Sequence, residues 1–117
     1  MRKYAYLKRP QKDDAGCFIY KIMLYEAEEG SYLFGYGSPD AVISSSDILY
    51  ENTEELHEEW DSLIDGNGWI AMEDPLPGCQ HDAFITLRVK GRNTGKPEWG
   101  KYETFVNGEW IDYNTII

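Results

Sequence analysis

Apolar residues recur at the helical period in one stretch of the chain, residues 52–66. The stripe has spacing i, i+4, i+7 and i+8, which places its members on one helix face: Leu56, Trp60, Leu63 and Ile64. Asn52 precedes the stripe where its side chain can accept a hydrogen bond from an early helical N–H. Glu55 lies three residues later, which completes a pattern like a capping box, and Gly66 follows the stripe as a residue that tolerates positive φ. The pattern predicts one amphipathic helix over about residues 53–65.

Alternating apolar and polar positions, separated by turn residues, predict strands in most of the remaining chain. The predicted strands are 2–9, 17–25, 31–36, 69–72, 84–90, 101–106 and 109–113, with a shorter one at 47–50. Residues 17–25 are apolar on both faces apart from Lys21, which is typical of a strand in the middle of a sheet. Pro10 is expected to end the first strand, and Asn107 with Gly108 predicts a type I′ hairpin turn.

Successive strands with short connections favour antiparallel pairing, with the helix laid across one face. The sequence therefore predicts an α+β fold: a mostly antiparallel, strongly bent β-sheet of about six to seven strands with the amphipathic helix packed on one face. A length of 117 residues favours a single domain over 1–117.

The charge is strongly negative and uneven along the chain. The formal net charge is −10. Residues 1–12 carry net +5, residues 13–82 carry net −16, and residues 83–117 carry net +1. An acidic block of this size repels phosphate backbones and anionic lipid, so nucleic acid and membrane surfaces are unfavourable partners. A basic protein is the partner that the charge favours.

The polar face of the predicted helix carries acidic residues and no Lys or Arg. These acids are the candidate binding residues: Glu54, Glu55, Glu58, Glu59, Asp61 and Asp65. Like charges at i, i+4 destabilise a helix by about 0.2–0.5 kcal/mol per pair. Two interpretations stay open, a solvated surface that maintains solubility and a patch that meets a cationic partner.

Two cysteines in 117 residues do not form a disulfide framework. The first residues are basic and aromatic without a following apolar segment, so no secretory signal is predicted, and no apolar run approaches the length of a membrane span. A cytoplasmic protein with free thiols is the expectation.

The segment DPLPGCQHD, residues 74–82, is the stretch that most resembles a catalytic or ligand site. Two prolines and a glycine exclude regular structure there. Cys79 and His81 would point the same way in an extended segment, so His81 would act as base for the thiol, and Asp82 or Asp74 would orient His81. No nucleophile motif surrounds Cys79, and a structural turn is the competing interpretation.

Motifs for metals and cofactors are missing from the sequence. A single Cys-x-His without C-x₂-C or H-x₃₋₅-H spacing does not predict a zinc site. Gly35-x-Gly37 and Gly91…Gly95 lack the remaining features of phosphate loops. The expectation is no metal and no cofactor.

Aromatic residues make up 15% of the chain, a high fraction. Tyr32, Phe34 and Tyr36 share a strand face that is either core or an interface, so self-association is left open. With the basic segment VKGRNTGK this face would suit single-stranded nucleic acid, but the net charge argues against that partner.

The first functional hypothesis is a small acidic cytoplasmic interaction protein without catalysis. It would bind a basic protein partner in the manner of an inhibitor or immunity protein, and Tyr and Trp are favoured residues at such interfaces. The second is a small enzyme or a ligand- or metal-binding protein that uses Cys79, His81 and Asp82. Thiol reactivity and elemental analysis distinguish the two.

Overall fold

The computed structural model describes residues 1–92 and 94–113 in full and the backbone of residue 93. Contacts between residues divide the chain into two compact units, Met1–Asp74 and Pro75–Ile117. The single domain predicted over 1–117 stays a prediction, and its last residues, 114–117, lie outside the described part.

The first unit contains a five-stranded antiparallel sheet and the helix. Its strands are β1 (Arg2–Lys12), β2 (Phe18–Ala27), β3 (Gly30–Tyr36), β4 (Ser46–Tyr50) and β5 (Ile70–Met72). The strand order is β4-β3-β2-β1-β5, and every neighbouring pair is antiparallel. Helix α1 (Thr53–Trp60) follows β4 and continues into a 3₁₀ turn, Asp61–Leu63. The predicted antiparallel α+β character is confirmed.

The second unit contains a separate three-stranded antiparallel sheet. Its strands are β6 (Leu87–Val89), β7 (Tyr102–Val106) and β8 (Glu109–Tyr113), with β7 in the centre. A 3₁₀ turn, Arg92–Thr94, lies between β6 and β7. The prediction of one bent sheet of six to seven strands is therefore wrong: the described strands form sheets of five and three. Alternation along each strand predicts the strand but does not determine its sheet, because pairing depends on residues distant in sequence.

The core of the first unit lies between α1 and one face of the five-stranded sheet. The helix contributes Leu56 and Trp60, both buried, and Ile64 beyond it is also buried. The sheet contributes apolar side chains from three strands: Ala5, Ile19, Ile22, Leu24 and Leu33. The predicted apolar stripe is thus the surface that attaches the helix to the sheet.

The helix begins as predicted and ends earlier. The backbone N–H of Glu55 donates to the side chain of Asn52 at 3.0 Å, which is the expected N-terminal cap. The α-helix ends at Trp60 instead of about residue 65, because Ile64 turns to extended backbone and forms a β-bridge with Leu7 of β1. Pairing with the sheet replaces the last predicted helical turn. Within residues 1–113, no helix has the length and apolar character that a membrane span needs.

The first strand passes through Pro10 and does not end there. The pairing of β1 with β2 shifts register between Tyr6 and Gln11. Pro10 lies in this irregular stretch, where its missing N–H removes no ladder hydrogen bond. The shift also turns Ile19 into the core beside Ile22, whereas simple alternation along β2 predicted opposite faces for these two residues.

Candidate functional site

The outward face of α1 and the turn after it form an acidic surface on the first unit. We call it the α1 acidic surface and define it by the six predicted residues: Glu54, Glu55, Glu58, Glu59, Asp61 and Asp65. Five of them are exposed, and Asp65 is half-buried. Within residues 1–113, none of the six forms an ion pair with a lysine or arginine. The four glutamates are thus exposed along α1, and Asp61 and Asp65 follow them in the turn after the helix.

Three of these acids accept hydrogen bonds from neutral or weakly basic groups. Glu59 accepts one from the hydroxyl of Tyr50, Asp65 accepts one from the backbone N–H of Asn67 at 3.0 Å, and Asp61 accepts from a histidine and a tryptophan. These bonds orient the carboxylates without supplying a permanent positive charge.

Asp61 has a structural environment that the sequence did not indicate. Its Oδ1 lies 2.7 Å from Nδ1 of His57 and accepts the indole N–H of Trp69 at 2.8 Å. Burial raises the pKa of Asp61, but the hydrogen bonds from His57 and Trp69 outweigh this effect, so the pKa lies below its ordinary value. The His57 and Trp69 rings meet edge to face at 5.5 Å. Asp61 therefore links the end of the helix, through His57, to Trp69 in addition to carrying charge.

A pocket opens on the first unit beside the C-terminal end of α1. Its volume is about 420 Å³, within the range of about 300–1,000 Å³ that is usual for ligand sites. Three segments form its walls: residues 11–15 after the register shift of β1, residues 45–48 at the start of β4, and residues 59–63. Its apolar lining includes Ile19, Leu33, Trp60 and Leu63.

The charge lining this pocket is mainly negative. Four carboxylates line it, those of Asp13, Asp14, Asp47 and Glu59, against the single ammonium group of Lys12. Glu59 belongs both to the pocket and to the α1 acidic surface, so the two are continuous. An apolar interior with a carboxylate rim suits a ligand that is cationic at one end and apolar along its length.

Sequence reasoning missed this pocket for a physical reason. Residues 11–16 and 37–46 lie between the predicted strands, and the pair Asp13 and Asp14 carries little information in a chain so rich in acids. The walls come from segments far apart in sequence that meet only through the pairing of β2, β3 and β4. The spacing of residues within each segment therefore does not indicate that the segments come together.

The Cys79 loop has the features of a structural turn. The N–H of Cys79 donates to the carbonyl of Leu76 at 3.0 Å, and Gly78 adopts φ +81°. Cys79 is 4% exposed, whereas His81 is exposed and Asp82 half-buried. Burial raises the pKa of the Cys79 thiol against the opposing effect of two arginines. Because the thiolate is the reactive form, this environment weighs against the candidate nucleophile.

The metal version of the second hypothesis gains no support from the geometry. Within the described part of the chain, no group of three or more His, Cys, Asp or Glu side chains is arranged to hold a metal ion. Cys17, the other cysteine, is exposed, and both thiols are free.

Two cations at the basic segment of the second unit, Arg88 just before it and Lys90 within it, form ion pairs. The Nε of Arg88 lies 2.6 Å from Glu103, and its guanidinium lies 3.5 Å from the ring centroid of Trp110. Lys90 pairs with Asp112 at 2.8 Å. These charges are matched inside the sheet of β6, β7 and β8, which leaves fewer of them for a phosphate backbone.

The aromatic strand face of the first unit is partly core. Tyr36 is fully buried, while Tyr25, Tyr32 and Phe34 form a stacked row with ring centroids 6.2 and 5.8 Å apart. Lys21, the polar residue within β2, is buried. It donates to the carbonyl of Ala41 at 2.8 Å and lies 5.1 Å from the Tyr36 ring. The ammonium group of Lys21, the residue that interrupted the apolar pattern, therefore finds its partners within the first unit.

Comparison of the chain with models of known protein families, with curated proteins and with solved structures found no match.

Proposed function

We propose that this chain is a small interaction protein without catalytic activity that binds a basic protein partner. Its action would be stoichiometric, as for inhibitor and immunity proteins, in the cytoplasm that the sequence predicts. The observation that carries the proposal is the α1 acidic surface, whose six acids have no lysine or arginine counter-ion within residues 1–113.

Charge of one sign on a rigid surface favours rapid encounter with a cationic protein. Electrostatic steering raises association rates, and salt reduces the effect because the Debye length falls to about 10 Å at 0.1 M ionic strength. Helix α1 is held rigidly because Leu56, Trp60 and Ile64 are anchored in the core. A rigid element presents its charges without an ordering cost on binding.

The test compares a helix variant with a charge-matched control. The helix variant is Glu54→Gln with Glu55→Gln and Glu58→Gln, because these three acids are exposed and their side chains accept no hydrogen bond within residues 1–113. Asp61 is left intact because it holds His57 and Trp69. The control neutralises three exposed acids elsewhere: Glu28→Gln, Glu73→Gln and Glu109→Gln.

The probe is a synthetic peptide of alternating Lys, Gly and Ser, with binding followed by stopped-flow fluorescence at low and high salt. The helix variant is expected to lower the association rate, and the control is expected to lower it less. Equal loss in the two variants would mean that only net charge matters, and the α1 acidic surface would then be a solvated face rather than a docking site.

The second hypothesis, an enzyme at Cys79, His81 and Asp82, has weaker support. A buried thiol with a raised pKa is the opposite of an activated nucleophile. The reactivity of the thiol decides this alternative.

A further inference from the structure

Gly35 lines the pocket beside α1 at a point of close packing. A Cβ atom at residue 35 would lie 2.5 Å from the Ser46 hydroxyl and 2.7 Å from Cδ1 of Ile19. Glycine therefore lets these two side chains approach each other over β3. The backbone N–H of Ser45 donates to the carbonyl of Gly35 at 2.8 Å, which fixes the wall at the start of β4.

The opposite wall is fixed by Asp13. Its Oδ1 accepts hydrogen bonds from the N–H groups of Ala15 and Cys17, each at 2.9 Å. Lys12, the single cation of the lining, lies 5.4 Å from the ring centroid of Phe18. Both walls are thus held by hydrogen bonds within the unit, and the pocket exists before a ligand arrives.

Asp14 and Asp47 are two exposed carboxylates in the lining of the pocket. In the part of the chain that the structure describes, neither side chain forms an ion pair or accepts a hydrogen bond. Together with Glu59 they line the pocket, and the edge of buried Trp60 contributes to its apolar lining.

We propose that this pocket receives an arginine side chain of the basic protein partner. The inference rests on the function proposed above and specifies how the partner is anchored. The arginine stem lies against Ile48 and Leu63, the apolar lining residues with accessible surface, and the guanidinium lies among the carboxylates of Asp14 and Asp47. Arginine suits the site better than lysine because its guanidinium is planar, less strongly hydrated, able to stack on aromatic rings, and matched to carboxylates as a two-donor fork.

The test uses the tripeptide acetyl-Gly-Arg-Gly-amide and its citrulline counterpart. Citrulline keeps the shape of arginine and removes the charge, so the pair isolates the electrostatic contribution. Binding to the whole chain is followed through the backbone amide signals of Asp14, Gly35 and Asp47 in ¹⁵N-correlated NMR spectra. The arginine peptide is expected to shift these signals. The citrulline peptide and a lysine counterpart, acetyl-Gly-Lys-Gly-amide, are expected to have an effect at least severalfold weaker.

The matched variants separate the pocket from general charge. Asp14→Asn with Asp47→Asn keeps the side-chain volumes. It should lower the affinity for the arginine peptide by about three- to tenfold, as expected for two partly exposed charge pairs. Glu28→Gln with Glu109→Gln removes the same net charge from exposed positions elsewhere and should leave the affinity within about twofold.

The possible results distinguish this inference from the proposed function. Equal shifts from arginine and citrulline, or shifts confined to Glu54 and Glu58, would overturn the arginine pocket. In the second case the α1 acidic surface would still stand as a docking surface. Pocket shifts specific to arginine support the inference. If the helix variant then associates with the peptide of alternating Lys, Gly and Ser as fast as the wild-type chain does, the docking function of α1 fails while the pocket remains.

Discussion

The hydroxyl of Tyr50 accepts a hydrogen bond from the indole N–H of Trp60 at 3.0 Å. The same hydroxyl donates to the carboxylate of Glu59. Tyr50 is the last residue of β4, and the other two residues lie at the end of α1, so this short chain of hydrogen bonds joins the edge of the sheet to the helix. It also positions Glu59, which the α1 acidic surface and the pocket share.

Deprotonation of Tyr50 should lower the free energy of unfolding at alkaline pH. Burial and the hydrogen bond to Glu59 raise the pKa of Tyr50 to about 12. An unperturbed tyrosine has a pKa of about 10. Because the folded chain holds the proton more tightly than the unfolded chain, this stability is complete below pH about 10 and is lost as pH rises through about 12. In Tyr50→Phe the free energy of unfolding should decrease less steeply with rising pH. Urea unfolding across this pH range measures the difference.

The control for this experiment is Tyr20→Phe, which removes a hydroxyl from half-buried Tyr20 in β2. It should keep the alkaline slope of the wild-type chain. If the curves of Tyr50→Phe and wild type run parallel up to pH about 12, the shifted tyrosine does not contribute to the slope.

Truncation of Leu56 in α1 should strongly destabilise the first unit. Its side chain is 0% exposed in the core between helix and sheet. Leu56→Ala should lower the unfolding free energy by about 2–5 kcal/mol, because it removes apolar contacts and leaves a cavity. Leu49→Ala deletes the same atoms at a position that is 51% exposed and should change stability by about 0.5 kcal/mol or less. Comparable losses in urea unfolding of the two variants would contradict the observed position of the core.

The two cysteines should differ strongly in reactivity, which tests the enzyme alternative. Cys17 is exposed and Cys79 is buried with a raised thiol pKa. In the native chain, a chromogenic disulfide reagent should modify one thiol quickly, and Cys17→Ser should abolish that fast phase. Cys79→Ser should leave the fast phase unchanged. A fast reaction at Cys79 with a pH midpoint below about 8.5 would restore the candidate nucleophile.

Arg88 should stabilise the three-stranded sheet through both charge and shape. Its side chain and that of Glu103 are 15% and 13% exposed, so Arg88→Met leaves a largely buried carboxylate without its partner. The free energy of unfolding should fall by about 1–3 kcal/mol, less than the loss of about 3–5 kcal/mol expected when one partner of a fully buried pair is removed. Arg88→Lys keeps the charge but loses the stacking on Trp110. Its free energy of unfolding should lie between those of the wild-type chain and Arg88→Met. Wild-type stability of Arg88→Met in thermal unfolding would contradict this role.

Local signals in the sequence determined those features whose causes lie within a few residues. Asn52 caps the helix because its acceptor is three residues from the N–H of Glu55. Asn107 and Gly108 form the hairpin turn between β7 and β8, with φ values of +51° and +82°, because positive φ at both positions is the requirement of the predicted turn. The apolar stripe and the concentration of acids on the opposite helix face are likewise legible in the sequence.

Tertiary structure alone decided where the helix ends, how the strands divide into two sheets, and that a pocket exists. The helix stops because Ile64 pairs with Leu7, and the pocket forms where residues 11–15, 45–48 and 59–63 meet. These contacts join residues that no periodicity connects. Their free energy comes from burial and pairing across the folded sheet, whereas a sequence pattern records only the preferences of neighbouring residues.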